Sequence, residues 1–596
     1  MNMKIFKTFT IALVLVLASA CTLDLREDPN AVQLEQIDVN LSLNAIQTSF
    51  VGFYSGASNV GEPIVRLTNS GGTRYNNVFT PVGFDGLWST AYSSFLQDAS
   101  KLTVKADAEG LTIHSGICRT LSAYVLVTLA DYFGAAPYTE ALQGSDNYNP
   151  AADSDQDLYE TAFALLDQAI VNFNTTSSPI PSSPAFADLY YNGDVAKWKK
   201  LANTIKLKMY LNWGNFNPAE AKAGIEAVLA SADGVIKAQS ENFIFRYGTN
   251  TTDPDVRHPN YAAYIAGGGT YMSNHLNWMM LYGYDMHTNT RAGDPRMRFY
   301  WYRQTTANSS NPNEIRCVTE PTPGHYMTVS GSSVILARGG TPPGITVDAT
   351  NTAWSRTYCQ TSSVGYWGRD HVDNQGIPPD AFLRTTWGPY PSGGRFDANQ
   401  GASVTPTMGM RGAGFQPIMM RAFVSFMTAE AINNLGVVNA KTARDFYSEG
   451  LDNSFKDVRD WAVAGTYGTN AASASPTEAT GIAAFYSQAN YDTDVALYKD
   501  RALAAYDAQT DAEGRLNYIA REYWVAAFEN GVEMFNMYRR TGKPEGMQPA
   551  LDPNPGSFPR SWWYPQSYVT LNNKADQKAD LTSKVFWDTK ETDLDF

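Results

Sequence analysis

Apolar residues recur at helical spacing over two long parts of the chain and lose that rhythm between them. LWSTAYSSFLQDASKL (87–102) and LTIHSGICRTLSAYVLVTLADYFG (111–134) each place an apolar stripe along one helical face. Gly134 is a C-cap candidate, and Pro137 prevents the second helix from resuming. SDQDLYETAFALLDQAIVNF opens on Ser154 as N-cap, with Asp157 three residues on, and lines up Leu158, Phe163, Leu166 and Ile170. DVAKWKKLANTIKLKMYLNWG closes on Gly214, and NPAEAKAGIEAVLASADG begins after Asn217 with Pro218 at the first helical position. Helical spacing returns at PIMMRAFVSFMTAEAINNLG, AKTARDFYSEGLDNSFKDVRDWAV, ALAAYDAQ and GRLNYIAREYWVAAFENGVEMFNMYRRTG.

Between them, from Phe243 to about Phe415, the chain is rich in Gly, Pro, Asn, Thr and aromatics and holds only short helical pieces. Long irregular stretches inside a compact protein usually carry function. The expected fold is therefore mainly α. Helix pairs like tetratricopeptide units, without a strict period, form the scaffold (40–242 and 416–596), and a loop-rich region (243–415) carries the ligand site.

The first residues change where this body is expected to work. MNMKIFKTFTIALVLVLASAC has a short basic region at Lys4 and Lys7, an apolar run, small residues and then Cys21. This is the order of a bacterial secretory signal over 1–20. The apolar run falls short of the roughly 20 residues of a permanent membrane span. A cysteine directly after the small residues is a lipidation candidate, although Ala18 stands where Leu is commoner. The alternative is ordinary cleavage that leaves a free thiol. Residues 21–39 read as a polar tether, and the rest as one body without a second long apolar run.

Composition narrows the ligand. Aromatics make up 13% of the chain, charged residues only 17%, and the net charge is −14. Nucleic acid needs Lys/Arg stripes, which this chain lacks. Neutral ligands that stack on rings, such as sugars, suit it better. Cys118 lies in an apolar helical pattern and reads as a buried thiol. Cys317 and Cys359 sit in the loop-rich middle and are candidates for one disulfide. CxxC, HExxH, GxSxG, the P-loop and GxGxxG are all absent, and the six His are scattered, so neither zinc chemistry nor catalysis nor a cofactor finds support.

Trp354, Tyr358, Tyr366, Trp367, Trp387 and Tyr390 crowd one Gly- and Pro-rich stretch, and Tyr75 stands in the early loop SGGTRYNNV. Rings flanked by Asn, Asp or Arg match a sugar's C–H faces and hydroxyl edges, so these seven are the ligand-contact candidates. The competing reading is that the rings pin the loops to the helices. Asp370, Asp373, Asn374 and Asp380 make an oxygen-rich loop that could hold a hard cation, yet the spacing is not an EF-hand, and solvated or helix-capping carboxylates are the favoured reading.

Several segments, in order, resemble a known family. LDLREDPNAV follows Cys21. ADYFGAAPYTEAL (130–142) precedes DLYETAFALLDQAI, and GDVAKWKKLANTIKLKMYL spans 193–211. DPRMRFYW stands at 294–301, and WGRDHVDNQGIPPD with RTTWGPYPSGGRFD covers 367–397. Ala429–Ala431, FENGVEMFNMYRRTGKP (528–544) and WWYPQSYVTLNN (562–573) complete the set. Together they resemble the SusD/RagB family of outer-membrane nutrient-binding lipoproteins of Bacteroidetes. Lys208 stands where that family usually has Arg, and Tyr568 where Glu is common. The resemblance implies a helical body, a cell-surface position on the outer membrane through lipid at Cys21, and a partner: a SusC-like TonB-dependent outer-membrane barrel that receives the nutrient. It implies binding, not catalysis, with oligosaccharide as the first expected ligand. Oligopeptide is the rival ligand; a surface glycoside hydrolase and a purely structural lid are rivals of other kinds.

Overall fold

The apolar stripes become helices that enclose one another. A computed structural model of the chain describes residues 38–592 apart from 71, 73, 285–286, 289–290, 305–365, 367, 373–384, 469–477, 549 and 551–553. In chain order the main helices are α1 (Val39–Ile64), α2 (Gln97–Ala108), α3 (Thr112–Phe133), α4 (Asp155–Asn174), α5 (Val195–Trp213), α6 (Pro218–Ala230), α7 (Pro259–Ile265), α8 (Asn274–Tyr282), α9 (Arg421–Leu435), α10 (Ala443–Ala464), α11 (Gln488–Asp507), α12 (Ala512–Ala526) and α13 (Gly531–Thr541). Neighbours pack as α3 on α4, α5 on α6, α9 on α10 and α12, and α13 on α1. This is the mainly α, tetratricopeptide-like scaffold.

Short ladders tie the loop-rich region to it. With β1 (Phe243–Arg246), β2 (Trp301–Arg303), β3 (Thr385–Trp387) and β4 (Phe415–Met419), β1 pairs antiparallel with β4, and β2 with β3. Trp301 faces Trp387 across the second ladder.

The caps behave as their chemistry requires. Ser154 accepts from Asp157 N at 3.1 Å, and Gly134 ends α3 at φ +76°, where a Cβ would be strained. Residues 85–108 form one continuous helical run, with a π turn over Thr90–Leu96. α1 starts inside the expected tether: Asp38 caps it by accepting from Asn40 N and Leu41 N, both at 3.0 Å. α1 is covered on several sides. Asn40, Gln47, Ser58 and Glu62 are buried along with its apolar residues.

α3 is long and apolar enough to cross a membrane, yet 89% of its most apolar window is buried in the protein, where it serves as the central core helix. Trp198 and Trp88 are buried, as core packing requires, and Cys118 is a buried free thiol.

A polar network threads this core. Lys208 Nζ lies 3.1 Å from Glu533 and 3.6 Å from Asp131, keeping a cation where the family's Arg would stand. Asp131 also accepts from Tyr159 (2.5 Å), Asn536 (2.6 Å) and Trp587 (2.9 Å), and Tyr124 donates to Glu533 at 3.0 Å. Arg540 meets both oxygens of Glu430 at 2.7 and 2.8 Å and donates to Asn212 at 2.6 Å. Arg539 lies 4.0 Å over the Phe535 ring and donates to the Asp131 carbonyl. Buried charges are stabilised by pairing and hydrogen bonding, as the Arg540–Glu430 pair and the Asp131 contacts are.

α1 and α13 touch backbone to backbone. A Cβ on Gly61 would lie 2.4 Å from Gly531 O, and one on Gly531 would lie 2.1 Å from Ser58 O.

Two stability outcomes follow. Gly61→Ala or Gly531→Ala will cost about 1–3 kcal/mol by overpacking. Gly52→Ala, on the same α1 with nothing within 4 Å of its Cβ, will be neutral or stabilising. Denaturant melts of the three variants compare them directly. Arg540→Ala, which strands Glu430, will cost about 3–5 kcal/mol in the same assay.

Candidate ligand cleft

α1 ends beside a cleft of about 520 Å³, within the size range of small-ligand sites. Its last turns supply Asn59, Val60, Glu62 and Pro63. The indole of Trp524 fixes this end by donating to Val65 O at 2.8 Å. The chain then runs as Thr68, Asn69 and Ser70 along a second wall, held where Asn69 N donates to Tyr271 O at 2.9 Å. Val78, Phe79, Thr80, Gly83 and Phe84 continue that wall. Phe79 and Phe84 lie against Trp562, at ring separations of 4.7 and 5.7 Å.

α7 makes the facing wall with Pro259, Asn260 and Ala263, and Thr270 lies just beyond it. Pro259 opens the helix, and His258 caps it through Nδ1, which accepts from Asn260 N at 3.3 Å. Trp387, placed by the β2–β3 ladder, completes the lining.

The walls mix aromatic and aliphatic residues with amides and hydroxyls. Asn69 is buried, and its Oδ1 has no partner among the described residues; the Trp387 indole N–H is likewise unpaired. A buried polar atom without a partner calls for water or ligand. Glu62 is the acidic residue of the lining. Burial and the nearby Glu529 push its carboxyl up to about 8.

The structure sorts the seven sequence candidates. Trp387 reaches the cleft although it is nearly buried, packing 5.8 Å from Phe528. Tyr75, Tyr366 and Tyr390 are buried with their faces taken up by protein, which corrects the expectation of an open platform for these three. Tyr75 OH lies 3.0 Å from His371 Nε2. Arg303 sits 4.4 Å over the Tyr366 ring, and Tyr390 stacks on Tyr300 at 5.5 Å. They pin the middle of the chain to the helices. Trp354, Tyr358 and Trp367 lie outside the described residues, as do Cys21, Cys317, Cys359, Asp373 and Asp380.

Asp370 is buried and accepts from Gln548 at 2.6 Å and Asn274 at 3.3 Å, so amides occupy it. Among the described residues no three His, Cys, Asp or Glu gather as a metal site.

Asn59, Glu62, Asn69, Phe79, Phe84 and Asn260 were not visible as site residues in the sequence. The polar loop around Tyr75 was the available signal. Its neighbours, not Tyr75 itself, line the cleft.

Comparison with known proteins agrees with this architecture. Residues 32–334 match the family model described as "Starch-binding associating with outer membrane", and residues 398–594 match that for "Susd and RagB outer membrane lipoprotein". A comparison with curated proteins gave no match. Among solved structures, a SusD/RagB family protein from Bacteroides thetaiotaomicron aligns at 17% identity and TM-score 0.62, over 93% of this chain and 100% of its own. A chitin-binding protein aligns at 20% identity and TM-score 0.55, and a chitin-binding SusD homolog from Flavobacterium johnsoniae at 17% and 0.54, each over 93% of this chain and 100% of its own. Two family matches in sequence order, together covering most of a chain with this helical fold, make the protein a member of the SusD/RagB family of outer-membrane nutrient-binding proteins.

Proposed function

We propose that the protein captures a neutral oligosaccharide in the cleft between α1, the 68–84 stretch and α7, and delivers it to a SusC-like TonB-dependent outer-membrane barrel. In this reading residues 1–20 are a leader, lipid on Cys21 anchors the chain at the cell surface, and the segment up to Asp38 is the tether. The observation that carries the ligand class is the cleft wall itself. Trp387, Phe79 and Phe84, though nearly buried, line the wall beside Asn59, Asn69 and Asn260, with the Asn69 carbonyl oxygen left for a ligand donor. Sugars present C–H faces and hydroxyl edges to match. The chitin-binding proteins of the same fold support a glycan over a peptide.

A glycoside hydrolase would need two carboxylates about 5–10 Å apart across the bound sugar. The lining offers Glu62 alone. Among the described residues this lining favours binding over hydrolysis.

Calorimetry against oligosaccharides and oligopeptides tests this reading. A neutral oligosaccharide should give heat, and Asn69→Ala or Asn260→Ala should weaken its binding about tenfold, the equivalent of about 1.4 kcal/mol. Tyr390→Phe, buried away from the cleft, should leave the affinity unchanged. Peptide heat with no saccharide heat, or saccharide binding indifferent to both Asn variants, would overturn it.

A further inference from the structure

Glu62 is an unusual group to line a sugar site. It is 3% exposed, and Ser58 Oγ lies 2.9 Å from one of its oxygens. Among the described residues its other oxygen has no hydrogen-bond partner, and no Lys, Arg or His nitrogen comes within ion-pair distance. Three features of its position oppose a negative charge. It is desolvated. It stands in the last turn of α1, at the negative end of the helix dipole. And a second carboxylate, Glu529, faces it from the turn before α13.

Glu529 has partners of its own. Ser392 Oγ donates to it, and His258 Nε2, at the start of α7, lies 3.1 Å away. From α3 the phenol of Tyr132 also faces Glu62, its hydroxyl donating to Ala57 O at 2.8 Å. Two carboxylates that share a site ionise unequally, and burial beside Glu529, with one Ser58 hydroxyl and no cation to offset it, favours the protonated form of Glu62.

We propose that Glu62 stands in the cleft as a protonated carboxyl, donating a hydrogen bond to an oxygen of an uncharged ligand, and that its ionisation at alkaline pH weakens capture. This deepens the glycan reading of the cleft and rests on it. The neutral acid supplies a donor where the ionised form could only accept, and it spares the site a buried charge facing the ligand.

The test compares the full chain with Glu62→Gln. Infrared difference spectra at about pH 6.5 should show a protonated-carboxyl band in the wild type that the variant lacks, disappearing in a titration centred near 8. Calorimetry with chitohexaose and maltohexaose as probes should show wild-type affinity falling toward about tenfold per pH unit above that midpoint. Glu62→Gln, whose amide still donates, should bind with a flat pH profile.

Stability supplies a ligand-free readout. A raised folded-state value means that Glu62 stabilises fully below its unfolded value of about 4.5 and loses that contribution as pH rises through about 8. The unfolding midpoint of Glu62→Gln should therefore gain on wild type from about pH 6 to about pH 9.

No protonated band at about pH 6.5, or a wild-type affinity that does not fall with pH, would overturn the inference. If Asn260→Ala still weakens probe binding in that second case, the cleft reading survives and the role of Glu62 alone fails. No probe heat at any pH would sink the glycan reading, and with it the donor role.

Discussion

The close crossing of α1 and α13 at Gly61 and Gly531 is the contact on which the cleft depends. With no side chain at either position, the two backbones meet directly, and Gly531 N donates to Ser58 Oγ at 2.8 Å. That approach brings the turn carrying Glu529 beside the last turn of α1, which carries Glu62. A methyl group at either glycine would push the helices apart and change the spacing of the two carboxylates together with the shape of the cleft.

The same junction continues into the core. Asn530, which caps α13 by accepting from Glu533 N at 3.1 Å, also donates to Pro417 O and Ile418 O in β4 and so ties the loop-rich region to the helices. One turn on, Glu533 reaches Lys208 and Tyr124. Helical scaffold, ladder and cleft are thus joined through a few polar groups around the start of α13. Buried polar groups hold such geometry because leaving any of them unpaired costs more than the bond returns.

Much of the scaffold was legible in the sequence because its helices carry apolar residues at helical spacing and are capped by ordinary chemistry: Ser154, Asn217 and Gly134 mark their ends where local rules place them. α1 was not legible. Its polar residues are buried against other elements, and the groups that satisfy them lie far along the chain, as Asp188 does for Gln47 and the Glu529 carbonyl for Ser58. The ring-rich loop misled for a related reason. Aromatics among Gly and Pro look exposed, but Tyr366 and Tyr390 supply the apolar surface that fixes irregular segments lacking helical hydrogen bonds. Cleft residues such as Asn69 and Asn260 are common loop residues, and nothing local separates them from the many Asn that form turns. The family resemblance, by contrast, lay in capping, turn and core motifs, so it identified the fold more directly than the site.

The central claim is that ligand enters the cleft bounded by α1, the 68–84 stretch and α7. Hydrogen exchange of the full chain, with and without a bound neutral oligosaccharide, tests it most directly. Slowed exchange at residues 68–84 and 259–270, with α5 and α6 unchanged, is the predicted result. Protection confined to other segments, with those two stretches exchanging as in the free protein, would contradict it.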